Sequence, residues 1–480
     1  MAGVLAEQLQ AALAQTASSL LEGEGVKIAG ADLLATARAI AHALLARQIT
    51  PDEPVLCPIV NAPIDLAQML GIWLAGGVAV PVSTAAANAS VAGIREATGA
   101  RLRVCGERVD AMAADPVPPR ELLRSAALII FTSGSTGKPK GVVLGHRPLA
   151  GKLEVLDRLI GLSPADQVLV PLRLSFIFGI WVSLLAILRG ARLVLMAKFT
   201  AAGLADKLAD GASALALVPT MLRTLLIAEP APVVPNLRIL LSGGETLSPR
   251  LGLAARAALA QTAIYDLYGL TETGACDFCL RPAEFDIGLG SIGCPTERVD
   301  YRIVAEDGGL ARPGATGELC IKTPFAMLGY LGGPSRGAAC YGDGFLRTGD
   351  QARLRPDGRV EIVGRLKEII ARGGNKIAPG EIEALLSRHP EVTAALCAGV
   401  PDARLGESIV AMVTLVPGAR LTPAALRDWA AAQIEKFKVP DAIYLCDALP
   451  IGGNGKLDRG AVTRKALAAA QSGPAKAGSE

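Results

Sequence analysis

Histidine is scarce in this chain: His42, His146 and His389 are the only three among 480 residues. So small a set leaves little general-base machinery and cannot by itself complete a structural zinc site. Charge of one sign is also lacking. The 48 basic residues face 45 acidic ones, and a formal net charge of +3 excludes broad electrostatic attraction to nucleic acid or lipid. Nor is there an apolar run suited to crossing a bilayer. Leu66–Ile94, the longest uncharged stretch, is broken by Gln68, Pro81, Ser83, Thr84 and Asn88, while Leu174–Leu188 is shorter than the about 20 residues a span needs. Met1–Leu20 has neither a basic start nor a clean apolar centre, so no signal peptide is expected and a cytoplasmic location is. Nine cysteines follow no repeating frame, which favours reduced thiols over disulfides. The close pair Cys276 and Cys279 has a gap that could suit zinc or redox chemistry, with Cys294 or Cys320 completing a site. Ordinary half-buried thiols are the plainer reading.

What the chain does have is a loop rich in glycine and hydroxyl groups. Phe131-Thr-Ser-Gly-Ser-Thr-Gly-Lys-Pro-Lys-Gly141 follows the apolar run Ala126–Ile130 and packs three glycines, four hydroxyls and two lysines together. Glycines let backbone N–H groups approach a ligand closely, hydroxyls add donors, and lysines neutralise charge, so the loop suits a polyphosphate such as ATP. Walker spacing is absent. Only two residues separate Gly134 from Gly137, and Lys138 precedes Pro139, which lacks an N–H and a hydroxyl and resists a following helix. A flexible Gly/Ser linker would need neither the lysines nor the apolar strand.

A chain of this length should divide into two or more units at roughly 100–200 residues per domain. Its first three-quarters alternates strand and helix. Extended runs are expected at Val78–Val82, Leu128–Phe131, Arg192–Met196, Leu215–Val218, Ile239–Leu241 and Thr262–Leu267, with helices such as Leu66–Leu74 and Pro249–Ala260 between them. That pattern predicts α/β layers with a largely parallel sheet, whose ligands collect at the carboxyl ends of strands. Two further loops leave such ends: Ser242-Gly-Gly-Glu245 and Tyr268-Gly-Leu-Thr-Glu-Thr-Gly274. After about Ala275 shorter extended runs and turns predict a β-rich subdomain, including Arg359–Val363. From Leu366 a glycine-bearing turn, helices Pro379–Arg388 and Pro423–Ala432, and strands near Ala394–Val400 and Val410–Val416 suffice for a small α+β domain. Residues 1–365 are thus expected as an N-terminal domain, 366–468 as a C-terminal domain, and 469–480 as a disordered tail.

Taken in order, Phe131–Gly141, Tyr268-Gly-Leu-Thr-Glu272, Arg347-Thr-Gly-Asp350, Gly364-Arg-Leu-Lys367 with Arg372-Gly-Gly374, and Asn454-Gly-Lys456 resemble the signatures of the adenylate-forming superfamily. That group comprises acyl-CoA synthetases, peptide-synthetase adenylation domains and luciferases. The resemblance spans about residue 55 to 460 and is most like an AMP-forming acyl-CoA synthetase. It implies that a carboxylate attacks the α-phosphate of ATP, pyrophosphate leaves, and a thiol takes the acyl group from the acyl-AMP. A carboxylate is already a nucleophile at neutral pH, so the first step needs positioning and charge neutralisation more than a base.

The resemblance also implies roles. Thr132, Ser133, Gly134, Ser135, Thr136, Gly137 and Lys140 would enclose the departing phosphates, with Gly243, Gly244 and Glu245 along the adenine edge and Tyr268 against its face. Thr271 would touch the α-phosphate and Glu272 would hold Mg²⁺. Asp350 would accept both ribose hydroxyls and Arg365 would add a contact on sugar or phosphate. Lys456 would be the catalytic lysine of adenylation. Lys367 would be the hinge about which a mobile C-terminal domain turns, and Arg372, Gly373 and Gly374 would line the path of a CoA pantetheine arm. Taken singly, Tyr268 reads equally as a core aromatic, Asp350 as a turn residue and Arg365 as a solvated charge.

For the acid, the resemblance points to Phe176, Ile177, Phe178, Gly179, Gly243 and Gly274–Phe278, including Ala275. Apart from Asp277 these are apolar or small, which favours an aliphatic or aromatic monocarboxylic acid over an amino acid. Asp277 could partner an ammonium, although a solvated loop carboxylate is the simpler expectation. Arg223 could pair with a second carboxylate, but Asp266 and Leu267 stand where a further basic residue would support that reading. Two alternatives remain at this level. One is loading of a carrier-protein phosphopantetheine in place of free CoA; the other is a noncatalytic nucleotide-binding regulator.

Overall fold

The computed structural model describes residues 3–15, 20–112, 120–132, 140–228, 233–332, 340, 342–452 and 457–471. By its contacts the chain forms two compact units. The first runs through Leu247 and adds Leu251–Tyr301 and Ile321–Arg347; the second takes Ser248–Arg250, Arg302–Cys320 and everything from Thr348.

Two sheets organise the first unit. Among the described residues one has nine strands, in the order Cys294–Pro295, Phe278–Leu280, Ala263–Tyr268, Ile239–Gly243, Ala214–Leu217, Gln167–Val170, Arg192–Leu195, Leu20–Gly23 and Val26–Ala29. Its six central strands are parallel and its edges antiparallel. Continuous apolar runs make this arrangement possible. Ala214–Leu217 is buried at every position, as a parallel strand covered on both faces requires. The other sheet has seven described strands: Gly329–Tyr330, Lys140–Gly145, Ala126–Thr132, Val78–Ser83, Pro54–Ile59, Leu102–Cys105 and Arg108–Ala111. Helices fill the space around them, among them the almost wholly apolar Ile177–Leu188 and the amphipathic His146–Ile160.

The two sheets are tied at the carboxyl ends of their strands. Just beyond Pro54–Ile59, the Asn61 side chain donates to the carbonyls of Leu172 (2.8 Å) and Met196 (2.9 Å) and accepts from Leu174 N–H (2.7 Å). Asp65, in the first turn of helix Pro63–Leu74, accepts backbone N–H bonds from Val60, Asn61 and Ala62 and so holds this junction in shape. The expected strands and helices are present, and several extend a residue or more beyond their expected ends; the helix expected from Leu66 begins at Pro63, where proline suits a first turn.

Among the described residues a four-stranded sheet of Asp300–Val304, Thr316–Lys322, Leu346–Leu354 and Val360–Arg365 belongs mostly to the second unit, with Asp300, Tyr301, Ile321, Lys322, Leu346 and Arg347 falling in the first. A further five-stranded sheet comprises Asn375–Ile377, Ile370–Arg372, Gly406–Leu415, Val392–Asp402 and Ala442–Leu445. Helices Pro379–Leu386 and Pro423–Ala431 contribute Ile382, Leu385, Leu386, Leu426 and Ala430 to its core. The last helix, Arg459–Gln471, runs into the stretch expected as tail, and residues 472–480 lie outside the described chain.

Candidate active site

The glycine-rich loop is held by a hairpin. Strands Ala126–Thr132 and Lys140–Gly145 pair antiparallel with Phe131 opposite Gly141 and Thr132 opposite Lys140. Ser133, Gly134, Ser135, Thr136, Gly137, Lys138 and Pro139 lie outside the described residues. A strand follows them and no helix, in keeping with Pro139 and unlike a Walker loop. Thr132 is half-buried and Lys140 exposed.

Gly243, Gly244 and Glu245 leave the end of strand Ile239–Gly243, next to the parallel strand that delivers Tyr268. Phe178, early in helix Ile177–Leu188, lies against Gly243: a Cβ there would meet Phe178 Cε1 at 3.4 Å and the Leu267 carbonyl at 2.9 Å. Phe178 also stacks on Trp181 with ring centroids 5.5 Å apart. Gly179 lets the helix start close to the preceding turn, since its Cβ would fall 2.6 Å from the Arg173 carbonyl oxygen. Phe176 is half-buried at the position before that helix, and Ile177 is buried. The structure therefore brings Phe178, Gly179 and Gly243 together, while Gly274 faces the Phe325 carbonyl and the Lys152 stem.

Glu245 has a structural tie. Its carboxylate accepts from Thr220 N–H (3.0 Å) and Oγ1 (2.7 Å), fixing the start of helix Pro219–Leu226. Arg223, on that helix, is half-buried; burial lowers its pKa and the Glu245 charge opposes the shift. Tyr268 is half-buried with its ring edge-on to Phe278, which packs edge-on against Tyr301.

Thr271 and Glu272 sit in the short turn Thr271–Thr273. The Glu272 carbonyl accepts from Met327 N–H at 2.7 Å, and its Oε1 accepts from the Tyr330 hydroxyl at 2.9 Å. Tyr330 also places its ring 5.2 Å from Lys140 Nζ. One tyrosine thus touches both the lysine that closes the glycine-rich loop and the candidate metal carboxylate. Burial, followed by the Glu272 charge and hydrogen bond, raises the tyrosine pKa. Sequence reasoning missed Tyr330 because only the pairing of Gly329–Tyr330 with Val143–Val142 brings it here.

Two expectations are corrected. Asp277 is no solvated loop carboxylate: its side chain is 0 % exposed and pairs with the equally buried Lys152 at 3.1 Å. Cys276 and Cys279 are fully buried and not half-buried. Burial pushes the Cys276 thiol up to about 12, so it stays protonated and inert near neutrality. Among the described residues no group of three or more His, Cys, Asp or Glu could hold a metal. Lys152 was also missed. A lysine in an amphipathic helical pattern gives no sign of burial until its acidic partner is known.

In the second unit, Asp350 and Arg365 face one another across the antiparallel strands Leu346–Leu354 and Val360–Arg365. Asp350 is buried, and Arg365 Nε lies 3.1 Å from its Oδ1. Thr348 Oγ1 accepts from Asp350 N–H and donates to the Leu319 carbonyl, while Glu318 accepts from Gly349 N–H. Lys367 is exposed in the turn Leu366–Glu368. Arg372, Gly373 and Gly374 form the hairpin turn before Asn375–Ile377. Both glycines have positive φ, 54° and 81°, which explains the pair. The Arg372 guanidinium donates to the Phe437 and Val439 carbonyls and to Asp441.

Lys456 lies outside the described residues, but its flanks are defined. Ile451 bridges Leu457, Asp458 N–H donates to Pro450 O at 2.8 Å, and Arg459 is held by Glu368, Glu383 and the Cys397 carbonyl.

Loops gathered at the carboxyl ends of parallel strands, with a small α+β unit beside them in sequence, are the layout of an α/β nucleotide-using ligase. The chain belongs to the AMP-binding enzyme family, whose model matches residues 106–331, while the model of the AMP-binding enzyme C-terminal domain matches residues 381–456. It is 36% identical over 353 residues to a sulfoacetate–CoA ligase of Cupriavidus necator, covering 72% of this chain and 68% of the relative. It is 31% identical over 462 residues to a fatty acid–[acyl-carrier-protein] ligase of Streptomyces coeruleorubidus, covering 88% of each. Among solved structures, ATP-bound MatB from Rhodopseudomonas palustris superposes with a TM-score of 0.83 at 25% identity, over 95% of this chain and 98% of that one. The protein is an AMP-forming acid–thiol ligase of acyl-CoA synthetase type, working through an acyl-AMP.

Proposed function

We propose that this ligase joins an apolar monocarboxylic acid, aliphatic or aromatic, to CoA. The carrying observation is the state of Asp277. As the one carboxylate in Gly274–Phe278, it is the natural partner for a substrate ammonium, yet it is buried and already paired with Lys152. An amino-acid ammonium would remain unpaired beside Phe178 and the small residues Gly179 and Gly243, which is costly.

In this reading Thr132 to Gly137 and Lys140 neutralise the β- and γ-phosphates, Tyr268 and Gly243–Glu245 hold the base, and Thr271 meets the α-phosphate. Asp350 binds the ribose with Arg365 beside it. A single carboxylate at Glu272, steadied by Tyr330, fits Mg²⁺, which is commonly held by one or two carboxylates together with substrate phosphates. When bound, that ion would neutralise phosphate charge. The acid's carboxylate oxygen forms a bond to the α-phosphorus as the bond to the β-phosphate oxygen breaks and pyrophosphate leaves. Lys456 offsets charge on the pentavalent phosphorus. The CoA thiolate then attacks the acyl carbon and AMP departs. For this second step the small domain, beginning at Leu366, turns about Lys367, and Gly373 and Gly374 let the pantetheine arm pass.

The similarity to a fatty acid–[acyl-carrier-protein] ligase over 88% of each chain motivates a second reading, with a carrier-borne phosphopantetheine as acceptor. Both readings are tested by AMP release across short-chain, medium-chain, aromatic, dicarboxylic and amino acids, with CoA or a phosphopantetheinylated carrier as thiol. Highest kcat/KM with an apolar monocarboxylate and CoA is expected. A preference for amino or dicarboxylic acids would sink the substrate proposal, and transfer to the carrier alone would replace CoA.

A further inference from the structure

Helix His146–Ile160 buries Lys152 among positions that are otherwise apolar apart from His146. Its Nζ donates to the Cys276 carbonyl at 2.9 Å and to Asp277 Oδ1 at 3.1 Å, with the Phe325 ring 5.3 Å away. The other Asp277 oxygen accepts from Thr273 Oγ1. Asp277 N–H donates to the Tyr268 carbonyl at 2.7 Å, closing the base of a loop that carries Thr271 and Glu272. Thr296 fastens the same base from outside, donating from N to the Asp277 carbonyl (2.8 Å) and from Oγ1 to the Cys276 carbonyl (3.0 Å).

Within this loop three successive residues have positive φ: Gly274 at 77°, Ala275 at 76° and Cys276 at 42°. Two of them are not glycine. Such a backbone persists only where its surroundings over-determine it. Lys152 binds the carbonyl at the end of that run and the carboxylate next to it. Gly269 must be glycine for the loop to close, since its Cβ would fall 2.3 Å from Cys276 N.

We propose that the Lys152–Asp277 pair is a positioning device for adenylation, a clamp that holds the strained Tyr268–Asp277 loop in the form that presents Thr271 and Glu272. It rests on the roles proposed above for those two residues. The competing possibility is a core ion pair that contributes only to stability, and an apolar or neutral replacement of both partners distinguishes the two.

Lys152→Met and Asp277→Asn should each lower Tm by roughly 5 °C or more, because each leaves a buried polar group without its partner. The double variant Lys152→Met/Asp277→Asn should recover most of that loss. Its loop is nevertheless unclamped: amide hydrogen exchange in residues 268–277 should be at least tenfold faster than wild type, and ATP–pyrophosphate exchange at least tenfold slower at saturating acid. Recovery of wild-type exchange activity together with Tm would overturn the proposal, as would unchanged hydrogen exchange in the loop. Should the double variant fail to fold, Thr273→Val, which removes one bond to Asp277, is expected to show the same loop exposure to a smaller degree. Glu272→Gln serves as reference. If it keeps full activity, the reading of Glu272 fails, while loop hydrogen exchange still decides whether the clamp exists.

Discussion

A single hydroxyl at Tyr330 sets the direction in which Glu272 can point. Oε1 accepts that bond at 2.9 Å, and the same ring stands over Lys140, so removing the oxygen alone should loosen the carboxylate without emptying the packing site. For Tyr330→Phe we expect a roughly tenfold rise in the Mg²⁺ concentration giving half-maximal pyrophosphate exchange, in line with the usual cost of losing a bond to a ligating group. Turnover at saturating Mg²⁺ should change little. A Mg²⁺ titration checks this, and an unchanged midpoint would mean that Tyr330 does not orient Glu272. Glu272 itself is legible in sequence because it lies in the contiguous Tyr-Gly-Leu-Thr-Glu motif. Tyr330 and Lys152 are not, because their partners stand 58 and 125 residues away. Local spacing carries no information about such contacts.

Among the elements, the strand Leu20–Gly23 is joined to its parallel neighbour Arg192–Leu195 and to helix Ala201–Ala209 through one carboxylate. Glu22 accepts from Lys207 Nζ at 2.7 Å and from Arg192 Nη2 at 2.6 Å. The Lys207 bond first, then Arg192, hold its pKa down to about 2, against the opposing effect of burial. A depressed carboxylate contributes stability that is present above its unfolded value and is lost as pH falls toward the folded one. Wild-type Tm should therefore drop between about pH 4.5 and pH 2 more steeply than that of Glu22→Gln. At neutral pH the variant should be less stable by about 1 kcal/mol, a figure reduced by the partial exposure of the cations. Parallel Tm–pH curves would contradict this. The strand Arg192–Leu195 is readable from its apolar run, whereas Leu20–Gly23, which is not among the expected strands, and this side-chain tie across elements are not.

At the scale of the whole molecule, two variants separate the half-reactions. Lys456→Ala should cut ATP–pyrophosphate exchange roughly a hundred- to thousandfold, the usual loss when a charge-stabilising donor is removed, while leaving thioester formation from supplied acyl-AMP nearly intact. Equal loss in both would count against its role. Lys367→Pro should do the reverse, because proline fixes φ in the turn Leu366–Glu368 and hinders the rotation proposed for the second step. Undiminished thioesterification by that variant would refute the hinge. Both residues lie in short motifs, so sequence alone suggests them.

By itself the sequence determined the α/β class, the succession of strands and helices, and the motifs that mark an acid-activating enzyme, since each depends on residues near one another in the chain. Only the tertiary structure decided what surrounds those motifs. It turned Asp277 from a solvated carboxylate into half of a buried ion pair, paired Asp350 with Arg365 across two strands, and set Tyr330 against Glu272. The physical reason is that burial and pairing are properties of the packed chain. A lysine or aspartate in a sequence window carries a charge, but the folded surroundings determine whether water or another side chain answers it.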